Sequence, residues 1–322
     1  MNISKLYKKI ALLSPPIQIL LRKIYWKNAR YLKKYRSKNN IVKKANGVKK
    51  ADFANIINYL KDNNIGDGSL IIVHSSYEAL SCTGLSPKEI IEHLLNLVGK
   101  NGTLAMPVIR EFNEAPKYED ILTADVSNLI CTYDVRKTKI ITGMLPFALM
   151  RHKDSVTSRF PLNPLTAVGP LAANMMQHNL DGECPSPHGI NSSWKFCYDN
   201  GAIVVSLGIN RNYGTIRHVV EEAFPDWLVS DEDWYRKRIF DIRDGDFQIR
   251  KMVKERKPKW GMIYFLSEKF KQDLLKHNIR IEKEIDGITV GMIDSQKYIA
   301  FMRNKSKNDA YPYYIDKKYF NR

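Results

Sequence analysis

The stretch Thr215-Ile216-Arg217-His218-Val219-Val220-Glu221-Glu222 holds the residues best suited to acid–base chemistry. Residues three and four apart on a helix face one another, so Thr215, His218 and Glu221 or Glu222 fall within one turn. Imidazole gains and loses a proton near neutral pH, and a nearby carboxylate orients the ring and stabilises its charged form. His218 is therefore the candidate general base. Glu221 or Glu222 is the orienting group, and Thr215 is placed to donate a hydrogen bond. A lone histidine is more often a satisfied structural residue. This one follows a strand end, where ligands bind in α/β sheets.

The elements around it are read from hydrophobic periodicity. Residues 202–207 form a short apolar run, the mark of a buried strand, and residues 215–223 read as the helix after it. A second buried strand, residues 70–74, runs into His74, Ser75 and Ser76. Hydroxyls and backbone N–H groups just past a strand can hold phosphate, although a serine pair there also suits a plain turn. Residues 51–64 read as an amphipathic helix. Another begins at Ser86-Pro87-Lys88-Glu89, a capping box with proline in the first turn. Residues 103–106 are a strand, and residues 110–137 a polar, irregular segment long enough for a lid. Residues 142–151 and 170–178 read as helices. Beyond Trp260 the pattern predicts a strand over 262–266, a helix over 268–276 and a hairpin over 280–302. Strands alternating with helices argue for an α/β core. The absence of a Gly-x-Ser-x-Gly elbow argues against a serine hydrolase built on Ser75 or Ser76.

The ordered series of short motifs resembles the aminoglycoside 3-N-acetyltransferase family, also called the antibiotic acetyltransferase family. It comprises Val73-His74-Ser75-Ser76, Val98-Gly99-Lys100-Asn101-Gly102-Thr103-Leu104 and Tyr133-Asp134-x-Arg136-x-Thr138. Ala167-Val168-Gly169-Pro170, Cys184-Pro185-Ser186-Pro187 and Thr215-x-x-His218-x-x-Glu221 follow. The resemblance covers roughly residues 51–225. It implies a layered α/β/α core of the antibiotic acetyltransferase type with a C-terminal α+β portion. It also implies acetyl transfer from acetyl-CoA to an amine, without a metal. On that reading His218, Glu221, Glu222 and Thr215 are catalytic. His74, Ser75, Ser76 and Ser186 line the CoA site, and Asn212, Asp134 and Arg136 lie towards the acceptor. Asp134 and Arg136 serve equally well as an ion pair closing the long segment. Two positions depart from the family pattern: Asn212 replaces an acid three residues before Thr215, and Phe160-Pro161 replaces a His-Pro pair. Losing an acid and a histidine points to an amino sugar or other amine-bearing metabolite, as in surface polysaccharide biosynthesis. The alternatives are the family's antibiotic acceptor and a non-catalytic protein that keeps the fold.

Charge divides the chain in two. Residues 1–50 contain fifteen Lys and Arg and no acid, while the whole chain carries 51 basic and 34 acidic residues. The remaining 272 residues are therefore nearly neutral, with 36 basic against 34 acidic. The organisation read from this is a basic helical leader over 1–50 and an acetyltransferase domain over 51–322. In the leader Ile17, Leu20, Leu21, Ile24, Tyr31, Leu32 and Tyr35 fall close to helical spacing among lysines and arginines, with Trp26 nearby. A basic amphipathic helix suits an anionic membrane surface, here through residues 1–45. Packing on the body, or on a second copy in a homodimer, is the alternative. No nucleic-acid-binding motif accompanies the charge. The apolar run over 10–21 is too short to span a bilayer. Cys82, Cys131, Cys184 and Cys197 show neither disulfide nor zinc spacing. A cytoplasmic enzyme is expected, peripheral on the inner face of the membrane.

Overall fold

The computed structural model describes residues 15–31, 50–209, 214–265 and 267–308. Seven strands form one mixed sheet: β1 (Leu70–Ser75), β2 (Thr103–Pro107), β4 (Val156–Thr157), β5 (Leu165–Val168), β6 (Ile203–Leu207), β9 (Arg280–Ile285) and β10 (Ile288–Asp294). Their spatial order is β4-β5-β2-β1-β6-β10-β9. The central strands β2, β1 and β6 run parallel, and the outer ones pair antiparallel. A second sheet, in the order β3-β7-β8, contains β3 (Ile130–Asp134), β7 (Tyr235–Asp244) and β8 (Phe247–Arg256).

Side chains on a strand alternate between faces, and here both faces are covered. Leu70, Ile72, Ala105 and Val204 enter one core, with helices Ser193–Asp199 and Ser295–Asn308. Ile71, Val73, Leu104 and Val205 enter the other, with helices Phe53–Asp62 and Pro87–Val98. This is the expected three-layer α/β/α core. The expected capping box is present, with Ser86 Oγ accepting from Glu89 N and Glu89 returning the contact.

A third, smaller core lies on the second sheet and includes Tyr133, Phe240, Ile242 and Phe160. The aromatic ring of Phe160 thus has a packing role, at the position where the resemblance leads one to expect a histidine.

Two elements of the C-terminal portion differ from expectation. Residues 262–265 are not a strand, and residue 266 lies outside the described residues. A short helix, Lys259–Met262, starts after Pro258 and buries Trp260, whose indole N–H donates to Asp233 O at 3.0 Å. Trp260 packs against Trp234 and Tyr264, and that burial overrides the local strand pattern. The second hairpin strand stops at Asp294. Its carboxylate accepts from Gln296 N and Lys297 N and starts the helix Ser295–Asn308, where sequence reading continued the hairpin to residue 302. Aspartate in such a position satisfies N–H groups the helix leaves unpaired.

The leader helix, Pro15–Lys27, packs in an unexpected sense. Gln18 and Ile19 are buried, while Ile17, Leu20, Leu21 and Ile24 face outwards. Arg22 turns inwards and donates to the carbonyl oxygens of Ile263 and Phe265. Trp26 packs on Tyr118. The predicted stripe beyond Tyr31 lies outside the described residues. No helix among the described residues is long and apolar enough to cross a membrane.

Candidate active site

Strands β1 and β6 are parallel neighbours in register, with His74 beside Ser206 and Ser75 beside Leu207, so their carboxyl ends open onto one place. Gly208 turns the chain off β6 at φ +67°, and a Cβ there would lie 2.5 Å from Ala79 Cβ. Glycine alone takes that turn without strain or clash. Residues 210–213, including Asn212, lie outside the described residues. The chain re-enters as a 3₁₀ turn, Thr215–Arg217, running directly into the helix His218–Glu222. Ile216, Val219 and Val220 anchor these turns in the core.

The anchoring places His218 Nδ1 2.5 Å from Glu221 Oε2. With Glu221 ionised and therefore only accepting, Nδ1 would carry the hydrogen and Nε2 would keep the lone pair. Arg256 Nη1 lies 3.2 Å from His218 Nδ1 and 3.5 Å from Glu221 Oε2. Burial, then the Arg256 and Arg217 guanidinium groups, holds the His218 pKa well below its ordinary 6.5. The ring is therefore neutral at neutral pH, with the Glu221 carboxyl group beside it.

His218 is 6% exposed, and what remains open faces two cavities. One, of about 490 Å³, is lined by His74, Ser75, Thr215 and Ser206, with apolar Pro107, Ile141, Val204 and Ile293. The other, of about 620 Å³, lies against the long irregular segment and the β7–β8 hairpin. Ile141 and His218 line both. The imidazole of His218 thus sits at the junction of two cavities.

A second histidine joins the first. The His188 and His218 rings lie 4.9 Å apart. His188 Nδ1 is 3.2 Å from Glu222 Oε1, and the His188 backbone N–H donates to Glu222 Oε2 at 2.9 Å. The two nitrogen and oxygen atoms of that first pair are buried but not aligned for a hydrogen bond. Consecutive glutamates thus serve two histidines. Sequence reading missed His188. Its signal was only a histidine following the Ser186-Pro187 turn.

The remaining predicted residues divide. His74 and Ser75 line the smaller cavity. His74 is held at a pKa of about 4 by burial and then by Arg280, and its Nε2 has no hydrogen-bond partner. Ser76 instead caps the helix Tyr77–Leu80. Ser186 lines a third cavity, with Glu221, Glu222 and Tyr235. Asp134 accepts from the backbone N–H groups of Arg136 and Lys137, and the Arg136 side chain reaches Asp244 at 3.6 Å. These two residues act in a turn and a surface ion pair rather than in the lining of either His218 cavity.

Burying three histidines in the neutral form has a consequence for stability. His74, His188 and His218 all have lowered pKa values in the fold, with burial the first cause in each. Unfolded, they bind protons as the pH falls below about 6.5, while the folded protein resists. Stability should therefore decline below pH 6.5. The decline should be complete once the folded values are passed, near 4 for His74. Thermal unfolding followed between pH 7.5 and 4.5 checks this, and His188→Phe should flatten the slope.

The profile of the family described as Aminoglycoside 3-N-acetyltransferase matches residues 72–306, nearly three quarters of the sequence. The chain belongs to this family. Aminoglycoside N(3)-acetyltransferase IX of Micromonospora chalcea is 30% identical over 172 residues, covering 50% of this chain and 58% of its own length. Aminoglycoside N(3)-acetyltransferase VII of Streptomyces paromomycinus is 28% identical over 214 residues, covering 59% of this chain and 71% of its own. The first of these matches thus spans little more than half of the relative. Among solved structures, aminoglycoside acetyltransferase AAC(3)-IIb superposes with a TM-score of 0.63 at 18% identity, over 82% of this chain and all of that one. AAC-IIIb in binary complex with CoASH gives 0.61 at 18% identity, over 80% of this chain and 97% of that one. At such identities the structures speak for the fold. The α/β acetyltransferase fold read from the ordered motifs agrees with the family.

The family match extends well beyond residue 225, where the motif resemblance stopped. The β7–β8 hairpin in this portion supplies Arg236, Arg238, Glu255 and Arg256 to the larger cavity.

Proposed function

We propose that this protein transfers an acetyl group from acetyl-CoA to an amine on a sugar, with His218 as general base. One observation carries the reading: a neutral imidazole, backed by Glu221, where two cavities meet, in a chain of this family. The smaller cavity suits the acyl-pantetheine arm, since apolar walls face the methylenes while His74, Ser75 and Thr215 offer polar groups. The larger cavity takes the acceptor.

Chemistry follows from that placement. The acceptor nitrogen attacks the thioester carbonyl carbon while His218 Nε2 removes its proton. The N–C bond forms, the C–S bond breaks, and the electron pair leaves on sulfur. The proton held by His218 passes to the thiolate, giving the N-acetyl product and CoASH. Glu221 stabilises the imidazolium between these steps.

The relatives' names favour an aminoglycoside acceptor over the surface-polysaccharide substrate expected from the sequence. Either acceptor is an amino sugar. Incubating the protein with acetyl-CoA and a panel of amino sugars, including an aminoglycoside, tests the common claim. Thiol release matched by N-acetyl product is expected. Silence across the whole panel would refute it.

For the leader, the reading is attachment to an anionic bilayer. The outward face of Ile17, Leu20, Leu21 and Ile24, in a fifty-residue stretch without an acid, favours it. Apolar insertion and attraction of about 1 kcal/mol per basic residue near the surface would act together. Full-length protein should float with vesicles containing phosphatidylserine and stay behind with neutral ones. Leu20→Glu combined with Ile24→Glu should abolish flotation. Unchanged flotation of that variant would contradict the reading.

A further inference from the structure

We infer that the larger cavity is built for an amino sugar that also carries negative charge, as phosphate or carboxylate. The inference rests on the N-acetyltransfer reading and names the acceptor's class. Among the described lining residues, Arg110, Lys117, Arg236, Arg238 and Arg256 face only three carboxylates, Glu111, Glu222 and Glu255.

Each of these acids already has a cationic or imidazole neighbour. Glu255 is shared by two guanidiniums, at 2.6 Å from Arg236 Nε and 3.0 Å from Arg238 Nη1. Lys139 reaches Glu111 at 2.5 Å, and His188 lies beside Glu222. A polycationic acceptor would find one lining carboxylate without a cation, Glu222 beside neutral His188, against five cationic side chains. An anionic acceptor meets the opposite condition.

The cationic surplus is local. Outside the first fifty residues the chain is nearly neutral, yet this cavity gathers four arginines. Two are deeply buried: Arg110 is 5% exposed and Arg238 3%, and the Nε–H of each lacks a hydrogen-bond partner. The other N–H groups are met, Arg110 by the carbonyls of Thr138 and Val135 and Arg238 by Glu255 and Cys131, so Arg110 has acceptors but no carboxylate. Burying a guanidinium charge without an anion is costly. Arginine also suits phosphate and carboxylate better than lysine, because its planar fork binds two oxygens at once. Arg236 is placed for this role, because its charge shares Glu255 with Arg238 and so is only partly neutralised.

The experiment measures acetyl-CoA-dependent thiol release with matched acceptors. These are glucosamine, glucosamine 6-phosphate, a nucleotide-linked amino sugar, an amino sugar carrying a carboxylate, and the aminoglycoside sisomicin. At least one anionic acceptor should exceed glucosamine and sisomicin in kcat/KM by about tenfold, and its advantage should shrink as salt rises. The phosphate and carboxylate arms show which anion is recognised. Arg236→Gln should lower the ratio of anionic to uncharged kcat/KM, and Arg236→Lys should restore part of it. If Arg236→Gln fails to fold, Lys117→Gln on the exposed rim and the salt dependence of the wild-type protein carry the test. Sisomicin or glucosamine turning over better than every anionic acceptor would overturn the inference while leaving N-acetyl transfer standing. No transfer to any amine would instead remove the N-acetyltransfer reading, and this inference with it.

Discussion

Replacing His218 with Asn should lower kcat/KM for N-acetyl transfer by about 10²- to 10⁴-fold, the usual worth of a positioned general base. Asparagine keeps a side chain that can hydrogen-bond to Glu221 but supplies no basic nitrogen. The variant should retain affinity for CoA, because the rest of the smaller cavity's lining is untouched. Calorimetry with CoA separates loss of chemistry from loss of binding. Wild-type rates from His218→Asn would remove this imidazole from the mechanism. The pH dependence gives a second readout. Since the His218 pKa is held well below 6.5, the acid limb belonging to this base lies below that value. Activity that still rises between pH 7 and 9 would report deprotonation of the acceptor's ammonium group instead.

Trp194→Ala should cost about 3 to 5 kcal/mol in unfolding free energy, the range for deleting a buried aromatic. Trp194 is fully buried, and its indole N–H donates to Asn163 O at 2.8 Å. Its ring also lies against two site histidines, His188 at 5.7 Å and His74 at 6.4 Å between centroids. Removing it would undercut both cavities at once, so lost stability and lost activity should appear together. Chemical denaturation at fixed pH measures the first effect. Trp194→Phe, which keeps a ring but not the donor, should lose less of both.

The readable parts of this fold were those in which local pattern and tertiary burial agree. β1 and β6 are short apolar runs because both faces of the central sheet are covered, and their ends were visible in the sequence. Ser86 and Glu89 announce their helix because capping is a local interaction. The pairing of His218 with Glu221 was also local, three residues apart on one helix. His188 was not legible, because its partner Glu222 lies 34 residues away and only the fold joins them. The β7–β8 hairpin was passed over. Its strands are dominated by charged residues, although Asp244-Gly245-Asp246 is a strong turn signal. That omission hid Arg236, Arg238 and Arg256, which line the larger cavity. Residues 262–265 misled for the reverse reason: Tyr264 packs on Trp260 and Phe265 enters the same core, not a sheet.

The leader shows how periodicity fixes an amphipathic face without fixing which way it points. Ile17, Leu20, Leu21 and Ile24 make the stripe that helical spacing predicts, yet Gln18, Ile19 and Arg22 meet the body. On the proposed reading, that exposed stripe is the face that would meet an anionic bilayer.

A crystal structure with CoA bound tests the central claim most directly. The account predicts the pantetheine arm in the cavity lined by His74, Ser75 and Thr215. It also predicts that the sulfur ends next to the His218 Nε2 side of the ring. A sulfur held away from His218, with the arm along another surface, would contradict it.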